Sequence, residues 1–261
     1  MVARIVAFGA HPGDAFGSVG GTIAKHVRKG DEVSIVTLTC GERSHSHIVW
    51  EEYAEKESEE TVLKRAKEIK KAEFEKASNL LGVKDARILD FGDDPLIVDR
   101  ARLHKVVDVL RELRPDIVLV HTDQGHVDHE TTWDIVRNAC RIAGDLGVRT
   151  QFPPFTSIKN IYYCSPWYMG GWDFKPDIFV DIHEVIGIKT EALAVFKSQR
   201  TTPQMARDEV FSAAYWWGSM WFPAEVEAFR SFRPPIFPYL PDPSFTKGIG
   251  ELEVGEGSRG R

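Results

Sequence analysis

The sequence predicts an α/β protein, a single doubly wound, Rossmann-like and mostly parallel sheet flanked by helices. Short, β-branched apolar runs alternate with amphipathic helical segments through about residue 146. The turns that follow the strands gather glycine and polar residues, as turns at the carboxyl ends of parallel strands do. A chain of 261 residues, 43% of them apolar, can bury one large core and suits one domain better than two small ones.

Each element follows from its local pattern. Val2 to Phe8 is short, apolar and β-branched enough for a buried strand, and Val19 to Val27 has helical spacing. Gly17, Gly20 and Gly21 mark the junction, so His11 and Asp14 fall on a strand-to-helix turn. Glu32 to Thr39 alternates apolar and polar residues as a second strand and runs into the turn Cys40-Gly41-Glu42-Arg43. Ser44 to about Tyr53 reads as an irregular loop, and Glu55 to Leu81 as a long charged helix stopped by Gly82. Ala86 to Phe91 is a third strand, Gly92-Asp93-Asp94-Pro95 a turn, and Ala101 to Leu113 a helix ended before Pro115. Asp116 to His121, DIVLVH, is the most strand-like hexad in the chain; the loop TDQGHV and a helix from Asp128 to Leu146 follow it.

The pattern then loosens. Ile158 to Cys164 and Asp177 to Ile182 read as strands within a stretch rich in aromatics, proline and glycine, and Glu184 to Gln199 as a helix. Thr201 to Phe232 is predicted mainly helical and carries Tyr215, Trp216, Trp217, Trp221 and Phe222, a cluster suited to core or to contact between copies in a homo-oligomer. Residues 1–247 are taken as the catalytic domain and 248–261, glycine- and charge-rich, as a disordered tail.

Composition narrows the partners. The formal charge is -6 and the basic residues are scattered, which argues against a nucleic-acid surface and for a small-molecule substrate. No apolar run approaches the ~18 residues of a membrane span, and the amino terminus lacks a signal-peptide pattern, so a cytoplasmic protein with no membrane partner is expected. Cys40, Cys140 and Cys164 show no paired spacing and suggest neither a disulfide framework nor a thiolate metal site.

Two turns concentrate imidazole and carboxylate: His11-Pro12-Gly13-Asp14 after the first strand and His126-Val127-Asp128-His129 after the fourth. Brought together at the carboxyl edge of a parallel sheet, they can supply the two-histidine, one-carboxylate set of a catalytic Zn²⁺. The alternative is plain structure, with Asp14 capping a helix and the histidines hydrogen-bonded in loops.

Both turns carry a resemblance. AHPGDA at residues 10–15 and HVDH at 126–129 resemble the AHPDDE and HxDH motifs of the PIG-L or LmbE superfamily, zinc-dependent N-deacetylases of N-acetylglucosaminyl and related substrates. The likeness covers most of the chain, more loosely at VDIHEVIGIKTEALAVFKSQ, and weakens in the aromatic-rich segments. It implies zinc, or another divalent ion, on His11, Asp14 and His129; His126 as the histidine that stabilises the intermediate or delivers a proton; and Asp128 as the carboxylate orienting a neighbouring histidine.

The departures redirect the reaction. The superfamily's general base is the first aspartate of HPDDE, and that position is Gly13 here; the glutamate after it is Ala15. Glycine accepts no proton, so Glu42 and Asp128 are the candidate substitutes. The chain is also similar to the superfamily's 4-oxalomesaconate hydratase branch, hydro-lyases that lack the same aspartate, through LTCGERS and the stretch from Leu89 to His121. A polycarboxylate substrate of that branch would want cations, for which Arg43, His45 and His47 are candidates. His121 is a candidate supporting residue, whereas His26, His104 and His183 read as structural or surface residues. Three functions are therefore expected candidates: a deacetylase-type hydrolase, a hydratase-type lyase, and a metal-binding relative without catalysis.

Overall fold

The computed structural model describes residues 2–122, 125–164, 174–219 and 225–234, with 236, 239 and 240. Trp221, Phe222, residues 165–173 and the tail expected from 248 lie outside the described residues. Seven strands form one sheet: β1 (Arg4–Gly9), β2 (Glu32–Thr37), β3 (Asp85–Ile88), β4 (Ile117–His121), β5 (Asn160–Cys164), β6 (Ile178–Asp181) and β7 (Val226–Ser231). Their order is β3-β2-β1-β4-β5-β7-β6, parallel from β3 to β5. β7 runs antiparallel between β5 and β6.

The predicted doubly wound α/β architecture is the one observed. β1 alternates its side chains between two layers, as a buried parallel strand must. Ile5 and Ala7 pack under α1 (Asp14–Lys29), α3 (Glu59–Leu80), α6 (Ile186–Leu193) and α7 (Pro203–Ser219). Val6 and Phe8 face α4 (Arg100–Leu113) and α5 (Val127–Ile142). The helix starts are written locally: Ser58 accepts from Thr61 N at 3.3 Å and Asp99 from Arg102 N at 2.8 Å. No described helix is long and apolar enough to cross a membrane.

Four elements differ from the sequence reading. The first helix begins at Asp14, not near Val19, and carries the glycines inside it, with a kink at Val19 (φ -132°, ψ 15°). A Cβ on Gly21 would lie 2.7 Å from Ile182 Cγ2, so close packing against the exit of β6, not a turn, requires that glycine. The expected loop after Ser44 contains a short helix, α2 (His47–Tyr53), held by Val49 packed with Val62 and Ala66. The helix expected from Glu184 to Gln199 is broken: 3-10 turns at His183–Val185 and Lys197–Gln199 flank α6. The mainly helical reading of Thr201 to Phe232 holds only for α7, because Val226–Ser231 is a strand whose burial comes from its two sheet neighbours. Of the aromatic cluster, Trp217 is core, whereas Tyr215 and Trp216 are exposed.

Candidate metal centre

The strand order reverses at β1 and β4, whose carboxyl ends lie side by side. Crevices at such switch points are where doubly wound sheets bind ligands. β1 leads through Ala10 to His11 and on to Asp14 in the first turn of α1. β4 ends at His121, and α5 opens with His126 as its N-cap, its Nδ1 accepting from Asp128 N at 3.2 Å. His129 thus stands in the first turn of α5. Two helix N-termini and two strand ends therefore converge on one spot.

His11, Asp14 and His129 are all buried and each offers a ligand atom within 4.8 Å of the others. Asp14 Oδ2 accepts from His11 N at 2.7 Å and lies 3.5 Å from both His11 Nδ1 and His129 Nε2. His11 Nδ1, Asp14 Oδ1 and both ring nitrogens of His129 are buried without a hydrogen-bond partner. A buried polar atom left unmatched costs about 1–3 kcal/mol, and two of these, His11 Nδ1 and His129 Nε2, both face Asp14 Oδ2, as ligands gathered round one bound group do. Imidazole and carboxylate donors suit a divalent transition metal, so these three residues fit a cation.

Neighbours hold the trio in place. His11 Nε2 donates to Asp128 Oδ2 at 3.1 Å, leaving Nδ1 as the atom facing Asp14. Asp128 in turn accepts from Asp94 N at 3.0 Å and Leu96 N at 2.6 Å. Burial opposes its charge, yet these bonds and His11 bring its pKa down to about 2. Burial also opposes a charge on His11, but Asp14 and Asp128 outweigh it and lift its pKa to about 9, a measure of how strongly the two carboxylates call for a cation. Asp14 is held well below the usual carboxylate range despite burial, chiefly by His129 and His11. Burial, against the pull of Asp14, pushes the His129 pKa down to about 3. His121 Nε2 accepts from Ala10 N at 3.0 Å, fixing the backbone just before His11.

The remaining candidates are placed as follows. His126 and His45 flank His11, with ring centroids 5.2 and 4.0 Å away, and the three form a second set within ligand reach of one another. Burial pushes the His45 pKa well down, so this imidazole is neutral at pH 7. His47 is exposed at the start of α2. Arg43 turns outward to Glu59 at 2.8 Å; its backbone N–H, not its guanidinium, faces inward, donating to Asp93 at 3.1 Å. Glu42 is buried with one oxygen 3.3 Å from Lys67 and the other unpartnered, and burial with nearby Asp93 raises its pKa. It shares a second cluster with Cys40 and Asp90, but Lys67, 2.6 Å from Asp90, already supplies the cation there. Asp128 is committed to His11 and two backbone N–H groups, which suits orientation and leaves it no free oxygen for base work.

The sequence reading passed over three residues. Asp93, read as part of a turn, accepts from Ser44 N and Oγ at 2.8 and 2.6 Å and stands within ligand reach of His11 and Asp128. Lys70 on α3 and Gln199 meet beside Gly13, although neither lies near it in the chain. Only the carboxylate pair before Pro95 gave any prior signal.

An α/β sheet with a buried His-Asp-His constellation at its switch point defines the class: a doubly wound protein whose two strand-end turns bring together a set of ligand atoms able to hold a metal ion. Residues 6–140, more than half of the chain, match the PIG-L family, described as GlcNAc-PI de-N-acetylase, and the chain belongs to that family. It is 29% identical over 192 residues to 4-oxalmesaconate hydratase of Pseudomonas putida, covering 73% of this chain and 71% of the relative. Diacetylchitobiose deacetylase of Thermococcus kodakarensis is 30% identical over 210 residues, 76% of this chain and 70% of that one. The crystal structure of 4-carboxy-2-hydroxymuconate hydratase from Pseudomonas putida superposes with a TM-score of 0.78 at 24% identity, over 92% of this chain and all of that one, and so shares the fold. The relatives are thus enzymes of two kinds, deacetylases and a hydratase.

Proposed function

We propose that this chain is a zinc-dependent hydro-lyase that adds water across the double bond of a small unsaturated oxo-polycarboxylate, as the name of the Pseudomonas putida relative implies for that protein. The observation that carries the reading is Gly13: the turn keeps His11 and Asp14 but has no carboxylate between them to protonate a departing amine. Hydration has no amine leaving group. A divalent cation on His11, Asp14 and His129 would supply Lewis acidity to a water and to the substrate's oxo group.

The chain's own residues supply the rest. Of the two candidate substitutes for the missing base, Asp128 has no free oxygen, which leaves Glu42, with its raised pKa and unpartnered second oxygen, to take the proton from the attacking water. The hydroxyl forms a bond to one alkene carbon while the π electrons move toward the oxo oxygen. His126, on the opposite turn, returns a proton to the other carbon. Asp128 keeps His11 oriented throughout.

A second reading, N-deacetylase, has the 30% identity to diacetylchitobiose deacetylase in its favour. Paired assays on metal-analysed protein separate the two. The expected result is about one zinc per chain, water addition to 4-oxalomesaconate and no acetate from diacetylchitobiose. Acetate release without hydration overturns the lyase reading, and so does Gly13→Asp if it creates brisk amide hydrolysis.

A further inference from the structure

Lys70 has no exposed surface, yet its ammonium is not locked in a close ion pair: Glu73 Oε2 stands 3.8 Å away, and the short contact is Gln199 Oε1 at 3.0 Å. Glu73 is otherwise engaged, accepting from Ser198 N at 2.8 Å and Ser198 Oγ at 2.6 Å, which ties down the 3-10 turn that carries Gln199. An ammonium only donates, so the Gln199 carbonyl oxygen must face Lys70 and the amide nitrogen must face away from it. It faces Gly13: a Cβ there would sit 3.1 Å from Gln199 Nε2. Among the described residues nothing accepts a hydrogen bond from that nitrogen. Gln199 is half-buried, so the amide is within reach of a ligand.

We infer that Gln199, polarised by Lys70, is a carboxylate-binding donor of the substrate pocket, presenting Nε2–H beside the metal-ligating turn. The geometry favours an anion over a sugar hydroxyl for a physical reason. The Lys70 charge pulls on the amide oxygen and makes the N–H a stronger donor, and hydrogen bonds to ionised acceptors are about twice as strong as neutral ones. A side chain on residue 13 would stand between that donor and its ligand; glycine leaves the approach open. The inference rests on the lyase reading and names the feature of its substrate that the pocket grips, a carboxylate near the reacting carbons.

The test uses zinc-replete full-length protein and tricarballylate, a saturated tricarboxylate that cannot be hydrated, in calorimetric titration. Gln199→Leu and Gln199→Glu should each weaken tricarballylate by about tenfold or more, the scale of a lost charge-assisted bond, with zinc content unchanged; Gln199→Glu keeps an acceptor for Lys70, so its melting temperature should not fall. In turnover they should raise KM for 4-oxalomesaconate more than they lower kcat. Gly13→Ala serves as a second probe that does not alter the turn's φ of -79°; its methyl crowds Nε2 and should weaken the same titration. Unchanged tricarballylate affinity in all three variants overturns the inference, and if wild-type protein still hydrates 4-oxalomesaconate the lyase reading survives. Acetate release with no hydration by wild-type protein sinks the reading instead.

Discussion

Two buried polar clusters in this molecule touch α1, and they are built on opposite principles. At the kink, Glu227 accepts from Gly21 N at 2.8 Å, Thr22 N at 2.7 Å and Lys189 Nζ at 2.7 Å, so the carboxylate caps the restarted helix and neutralises a buried lysine. Glu227 and Lys189 are both fully matched, and of this cluster only the Thr22 hydroxyl lacks a partner among the described residues. At the helix start, His11, Asp14 and His129 leave four buried polar atoms unmatched. Burial is comparable in the two places; satisfaction is not. The difference teaches that buried charge alone does not mark function, whereas buried charge with unmet valence aimed at a common point does.

The contrast can be broken, beginning with the largest effect. His129→Gln should cut bound zinc from about one equivalent to under about a tenth while leaving the melting temperature of metal-free protein almost unchanged, read by elemental analysis and calorimetry. Retained stoichiometric zinc would dissolve the contrast. Glu227→Ala should behave the other way: Lys189 is left buried and uncompensated, at a cost of about 3–5 kcal/mol in denaturant unfolding, with metal stoichiometry kept in the folded fraction. A loss below 1 kcal/mol would show the cap to be dispensable. Asp128→Asn removes only a supporting partner of His11 and should weaken zinc by about 10–100-fold in competition with a chelator. Wild-type affinity in that variant would remove Asp128 from the centre.

The smallest effect sharpens the comparison by pH. Burial lowers the Lys70 pKa from 10.5 to about 8, so between those values the unfolded chain holds a proton that the folded chain has released. Stability therefore rises with pH across that window, and the cost of burying the ammonium is fully present below pH 8. Relative to Lys70→Met, wild-type protein should gain stability from pH 8 to pH 10.5 in parallel urea titrations. A flat difference would mean that Lys70 titrates as it does in water.

Much of this was legible in the chain itself. The five parallel strands announce themselves through β-branched runs, and the set His11, Asp14 and His129 through two strand-end turns whose motifs resemble those of the superfamily. The misread parts have physical reasons. Val226 to Ser231 contains alanine and glutamate, which suit a helix, and becomes a strand only because β5 and β6 offer both edges. In α2 only Val49 is fully buried, with Trp50 and Tyr53 packed partly beside it, too short a face for a periodicity to register. Asp93 and Gln199 matter through what the fold brings to them, in one case the backbone of residues 43 and 44, in the other a lysine 129 positions away. Spacing along a sequence cannot report such meetings.

Glu227 also imposes an order on assembly. The two amide groups it receives belong to residues 206 and 205 positions earlier, in the helix that bears Asp14. A nascent chain emerging from the ribosome can therefore lay down its first strand early, but the second half of that helix stays uncapped until the last strand of the sheet has been synthesised. Readiness to take up metal should therefore wait for Glu227, long after His11 and Asp14 have themselves been made.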